Sequence, residues 1–194
     1  MIKFHGQDKW VIGLTGSMLS GKSTALACFA RYGTQTISCD EIVQQLSTSP
    51  RVLTQLKRVL GTADKTQIAQ RVFTDPHARK RLEQVLHPLV LKEVCARIKQ
   101  SKQSVIVVEI PLLFESGWDK LTDLNIVVLA DPKTLPARLK GRKMTRAEYM
   151  RRTRHQLPDE VKAQRADVVF YHATKAQLTQ SVIRFGRAMN LLHV

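Results

Sequence analysis

Three observations on this 194-residue chain predict an α/β fold of three layers around a five-stranded parallel sheet. Short runs rich in β-branched residues alternate with helical patterns. Two of those runs are apolar almost throughout, and a glycine- and lysine-bearing loop joins the first run to the first helical pattern. The runs are "WVIGLT" (10–15), "TQTIS" (34–38), "SVIVVEI" (104–110), "NIVVLA" (125–130) and "DVVFY" (167–171). The third and fourth have the continuous apolar character of strands covered on both faces. Helical patterns fall at 22–32 and 40–47, across a cluster spanning 51–102, and at 133–140, 145–156 and 174–191. The alternation predicts right-handed crossovers. The stretch between the second and third strands is too long for one crossover helix and is predicted to be a helical insertion.

Composition narrows the function classes. No apolar run reaches the ~18–20 residues needed to span a bilayer. The opening "MIKFHGQDKW" lacks the apolar stretch and cleavage site of a secretory signal. Cys28, Cys39 and Cys95 are odd in number and widely separated, unlike a disulfide framework or a zinc site. A cytoplasmic protein without a membrane partner is expected. The net charge of +15 calls for an anionic partner. Residues 136–165 hold ten Lys/Arg against three acids and supply +7 of that charge. With Tyr149 as its one aromatic, the segment lacks the interleaved aromatics of a nucleic-acid surface, and no nucleic acid is expected. The sequence assigns no oligomeric state.

The loop reads "GLTGSMLSGKST" (13–24). Gly16, four residues, Gly21, Lys22 and Ser23 reproduce the pattern in which backbone N–H groups and a helix N-terminus cradle phosphates. In that pattern the lysine reaches the terminal phosphates and the hydroxyl binds Mg²⁺. Gly16, Ser17, Met18, Leu19, Ser20, Gly21, Lys22, Ser23 and Thr24 are therefore the expected nucleotide-binding residues, and a P-loop NTPase-like fold follows. An ordinary strand–helix turn would not need lysine and serine together.

Two acids stand at predicted strand ends, where ligands of parallel sheets bind. Asp40, in "ISCDEI", is either a helix N-cap or a carboxylate that accepts a proton or helps hold metal. Glu109, closing "VIVVE", is either an exposed strand-end acid or the acid near the metal in phosphate-loop enzymes.

With these motifs in order, the chain resembles the dephospho-CoA kinase family over almost its whole length. "GLTG…SGKST", "ISCDEI", "DKTQIAQRVFTD" with "RLEQVLHPLV", "VVEIPLLFESG", "RLKGR" and "RTRHQLPDEVKAQRADVV" carry the likeness. The resemblance implies ATP and Mg²⁺ as cofactors and transfer of the γ-phosphoryl to the ribose 3′-hydroxyl of dephospho-CoA, the last step of coenzyme A synthesis. It implies Asp40, Lys22 and Arg142 as catalytic residues, Ser23 and Glu109 toward the metal, and Arg138 and Arg142 toward ATP. It places Asp40, His87, Leu112, Phe114 and Glu115 on the acceptor side. Blander readings stand beside these. His87 would be a packed helix-start histidine before Pro88, Leu112 and Phe114 core apolars, and the basic segment a solvated helix face. Arg138 and Arg142, four apart, would share one helix face, as would Arg152 and Gln156.

The implied organisation is a nucleotide-binding core (1–41, 103–135, 166–194), a helical CoA-substrate region (42–102) and an Arg-rich lid (136–165) that excludes water and stabilises transition-state charge. The chain departs from the family pattern at several points. Ser17 and Leu19 stand where glycines are usual, so side chains enter positions suited to positive φ. Ser38 replaces an acid two residues before Asp40, "FYHATK" replaces an Asn-Gly turn, and the stretch from Gly61 to Asp64 is short. The alternatives are an ATP- or CoA-precursor-binding protein with impaired catalysis, or a kinase for another small molecule.

Overall fold

The computed structural model describes Phe4 and residues 9–191. Its sheet contains β1 (Trp10–Thr15), β2 (Gln35–Ser38), β3 (Val105–Glu109), β4 (Leu124–Ala130) and β5 (Val168–His172). The strands are parallel, in the order β2-β3-β1-β4-β5. Each expected strand is found to within a residue or so at either end. Nine α-helices accompany them among the described residues: α1 (Lys22–Arg31), α2 (Cys39–Leu46), α3 (Pro50–Leu60), α4 (Lys65–Thr74), α5 (Pro76–Gln100), α6 (Leu135–Gly141), α7 (Arg146–Thr153), α8 (Asp159–Arg165) and α9 (Lys175–Ala188).

The chain divides into two compact units, one of residues up to Ser38 together with those from Ile98 onward, the other Cys39–Arg97. In the first, alternate strand residues meet the two central helices. Ile12 and Leu14 of β1, Val107 of β3, Ile126 and Val128 of β4 and Phe170 of β5 form one core with Ala25, Cys28 and Phe29 of α1 and Leu178 and Val182 of α9. Their neighbours Val11, Ile106, Val108 and Val127 are also buried. Both faces are thus covered, which accounts for the uninterrupted apolar runs. A capping box fixes the start of α9: Thr174 Oγ1 accepts from the Gln177 amide at 3.2 Å, and Gln177 Oε1 accepts from the Thr174 amide at 3.1 Å.

The second unit has its own core. Val52, Leu56 and Leu60, four apart on α3, join Ile68 of α4 and Ala78 and Leu86 of α5. Pro50 opens α3 and Gly61 closes it at φ +75°. Asp64 caps α4 by accepting from the Gln67 amide at 2.9 Å. His87 does not start a helix. It lies in the middle of α5, which runs on through Pro88. A proline inside a helix removes one backbone donor and ordinarily kinks or stops it, which is why the sequence invited a boundary there.

The late helical segment also differs from expectation. α6 ends at Gly141, Arg142 caps it at φ −101° and Lys143 turns the chain at φ +51°. Arg138 and Arg142 therefore do not share a continuous helix face. α7 ends at Thr153, which separates Arg152 from Gln156 in the same way. α8 was not expected, although Pro158-Asp159-Glu160 is a good helix start, with acids in the first turn. Among the described residues no helix is long and apolar enough to cross a membrane.

Candidate active site

The loop from Gly16 to Gly21 leaves the C-terminal end of β1, the central strand, and enters α1. Its two glycines are sterically required. Gly16 has φ +150°, and an added Cβ would stand 2.4 Å from the Val128 carbonyl oxygen and 2.6 Å from Ser20 Oγ. Gly21 has φ +106°, with His172 Nε2 3.1 Å from where a Cβ would be. Of the two substituted positions, only Leu19 adopts positive φ, at +65°, a conformation that costs a side-chain-bearing residue roughly 1–2 kcal/mol. Ser17 does not adopt it.

Neighbouring side chains hold this shape. Arg138 donates to the Leu19 carbonyl at 2.9 Å and to Thr134 Oγ1 at 2.8 Å. His172 Nε2 lies 2.7 Å from the Ser20 carbonyl, so the Gly21 N–H, trans to that carbonyl, points away from the imidazole. Lys22 Nζ donates to the carbonyls of Gly16 at 2.9 Å and Ser17 at 3.2 Å. The Ser17 hydroxyl donates to Asp159 Oδ1, and the Met18 amide donates to Gln156 Oε1 at 3.3 Å. Ser23 is exposed and Thr24 partly so, in the first turn of α1. A pocket of about 100 Å³ beside the loop is lined by Met18, Leu19, Asp131, Leu135, Arg138 and Tyr149, among others. That is well below the ~300–1,000 Å³ of a complete small-molecule site, so it accommodates only part of a nucleotide.

Glu109 is buried at 4% exposure at the end of β3, in register with Leu14 of β1 and Ser38 of β2. Ser38 Oγ donates to Glu109 Oε2 at 3.2 Å. A second carboxylate at position 38 would repel Glu109, whereas the hydroxyl satisfies it. Asp40 is exposed in the second unit and is the second residue of α2, inside the first turn rather than at the cap.

The acceptor-side candidates occupy different settings. Phe114 is 3% exposed, and the guanidinium of Arg165 lies over its ring at 4.9 Å. Leu112 is partly buried, as is His87 in α5. Glu115 Oε1 accepts from the Leu157 amide at 2.8 Å and lies 3.6 Å from Lys162 Nζ. Lys162 is wholly buried; burial pushes its pKa below the ordinary lysine value, against the pull of Glu115 and Asp159. Arg142 is exposed, and Arg152 pairs with Glu148 at 2.6 Å.

Asp159, Lys162 and His172 were not foreseen as neighbours of the loop. Lys162 was one of ten similar cations in a basic segment, and only packing singles it out. His172 had a weak signal, a polar residue ending an apolar strand.

The glycine–lysine loop on the central strand of a parallel sheet, the acid ending the adjacent strand and the basic helical segment beside the loop define a phosphate-loop kinase. Residues 10–177 match the family model described as dephospho-CoA kinase. A dephospho-CoA kinase from Symbiobacterium thermophilum is 36% identical over 171 residues, 81% of this chain and 71% of that relative. One from Bartonella quintana is 33% identical over 196 residues, covering 94% of this chain and 98% of the relative. A crystal structure from Thermus thermophilus superposes with a TM-score of 0.85 at 28% identity, over 94% of this chain and 98% of that one. A shikimate kinase from Bacteroides thetaiotaomicron, at TM-score 0.53, 19% identity and 94% and 99% coverage, shares the fold. The chain belongs to the dephospho-CoA kinase family.

Proposed function

We propose that this protein transfers the γ-phosphoryl of ATP to the ribose 3′-hydroxyl of dephospho-CoA, in the cytoplasm. The observation that carries the reading is the family match across residues 10–177 on a fold whose central strand bears the Gly16–Ser23 loop. The loop's backbone donors and the N-terminus of α1 receive the phosphates, and Lys22 exchanges its contacts with loop carbonyls for the terminal phosphates. Asp40 accepts the proton of the attacking hydroxyl. Arg142 stabilises the charge spread over the transferring group, and Arg138 supports it by holding the loop at Leu19. His87, Leu112, Phe114 and Glu115 belong to the acceptor side, Phe114 and Glu115 by shaping it from within the fold.

Ser23 and Glu109 would hold Mg²⁺; a hydroxyl and a carboxylate are the hard oxygen donors that this ion takes alongside phosphates. Held there, the ion would supply neutralisation of the charge that develops on the transferring phosphoryl group. Cys28, Cys39 and Cys95 form no disulfide among the described residues, in keeping with a reducing compartment.

The test is ADP release by the purified protein with Mg²⁺-ATP, with and without dephospho-CoA, beside Lys22→Ala. Release that depends on dephospho-CoA and is lost in the variant is the expected result. ATP binding without acceptor-dependent turnover would overturn it.

A further inference from the structure

We propose that residues 156–162 clamp the N-terminal half of the phosphate loop, with Ser17 as the point of attachment and Lys162 as a positioning residue for phosphoryl transfer. This deepens the kinase reading and rests on it for its link to catalysis. The Ser17 hydroxyl donates its single proton to Asp159 Oδ1 and accepts from Lys162 Nζ at 3.1 Å. A hydroxyl so engaged is fixed in one orientation. The next residue is held as well, because the Met18 amide donates to Gln156 Oε1 at 3.3 Å. Behind Ser17, Lys162 is wholly buried with Glu115 Oε1 at 3.6 Å, and Glu115 is fixed in turn by the Leu157 amide at 2.8 Å.

A lysine removed from water destabilises a fold unless its ammonium is paired and hydrogen-bonded. Here its partners are Glu115 and the loop. The loop needs outside support, because Leu19 sits at φ +65°, and a strained residue persists only where its surroundings over-determine it. Arg138 and His172 hold the later carbonyls, of Leu19 and Ser20. The 156–162 clamp holds the earlier half.

Position 17 is where the family resemblance leads one to expect glycine. Glycine would offer Asp159 and Lys162 no hydroxyl. The substitution that reads in the sequence as a steric handicap is therefore the attachment point. Ordering a loop in advance removes that cost from ligand binding. The clamp begins three residues after α7 ends, so it also ties the basic segment to the loop through the chain itself.

Ser17→Ala, Lys162→Met, their combination and Ser17→Thr test this. Two readouts serve: hydrogen exchange at the Met18 amide in the ligand-free protein, and calorimetric Kd for Mg²⁺-ATP. Ser17→Ala should speed Met18 exchange and weaken ATP binding about tenfold each, as expected for a lost hydrogen bond to charged groups. Ser17→Thr, which keeps the hydroxyl, should restore both. The double variant should fall short of the sum of the two single effects in both readouts, because each single variant already removes the Ser17–Lys162 contact. Exchange and Kd within about twofold of wild type in Ser17→Ala, a change well below that expected for one lost charged hydrogen bond, would overturn the clamp whether or not Lys162→Met folds. Acceptor-dependent ADP release by the unaltered protein separates the two readings. Turnover with unmoved exchange removes the clamp and keeps the kinase. Accelerated exchange without turnover in the wild type keeps the clamp and removes the kinase.

Discussion

Asp40 and Lys162 are both charged residues of a basic protein, yet their environments set different experiments. Asp40 is exposed in the first turn of α2, where its charge also favours the helix N-terminus. Asn keeps its shape and removes its basicity. Asp40→Asn should leave Kd for ATP within about twofold while lowering kcat about 10²-fold or more, the range of general-base catalysis. Equal turnover in steady-state assays would return Asp40 to a structural role. Lys162 is tested by pH. Burial lowers its pKa in the folded protein, so between that lowered value and 10.5 the unfolded chain binds more protons. Stability contributed by this group therefore rises with pH across the window. Denaturant titrations from pH 8 upward should show wild type gaining on Lys162→Met as pH approaches 10.5; a constant gap would mean that the ammonium is well solvated. At this scale Gly16, Gly21 and Lys22 were legible, because steric and electrostatic demands leave few residues that fit. Lys162 was not, since its distinction is burial created by neighbours more than forty residues away.

Elements were legible in proportion to how much of their character is local. The five strands were: β1, β3 and β4 are buried along most of their length, and the β-branched runs of β2 and β5 announce themselves by propensity although β5 exposes Val169 and Tyr171. Helix ends were read less well. Pro88 sits inside α5 against its propensity, and α7 stops at Thr153, three residues before the expected end at 156. α8 is short and polar, and its one fully buried side chain is a lysine, so hydrophobic periodicity could not announce it. α9 combines both kinds of signal, an apolar face packed in the main core and a local capping box at Thr174. Thr174→Ala should destabilise the fold by about 1 kcal/mol, the usual value of an N-cap side chain, measurable as a lower denaturation midpoint. No change in midpoint would show that core packing alone sets the start of α9.

At the scale of the whole molecule, the net charge of +15 is partly concentrated in one segment that also contains loop-holding residues. Attraction of a polyanionic nucleotide should then be screened by salt. KM for ATP at 0.5 M salt should exceed that at 0.05 M by several-fold, roughly following the shorter screening length. A flat salt series would assign the charge to something other than nucleotide capture. The organisation into two compact units was partly visible, since a helical stretch too long for one crossover interrupts the strand–helix alternation. The strand order was not visible at all, because non-local pairing leaves no local trace. That order has a consequence for how the chain is made. β1 and β2 do not pair with each other; β3 lies between them. On a ribosome the first two strands therefore emerge with no neighbour to bond, and β3 begins about ninety residues after β1 ends, on the order of 5–20 s later at ordinary synthesis rates. Meanwhile Cys39–Arg97, with a core of its own, can be completed. The strand that carries the phosphate loop is translated first and bonded late, which makes the newborn chain's exposed "WVIGLT" a natural client for chaperones.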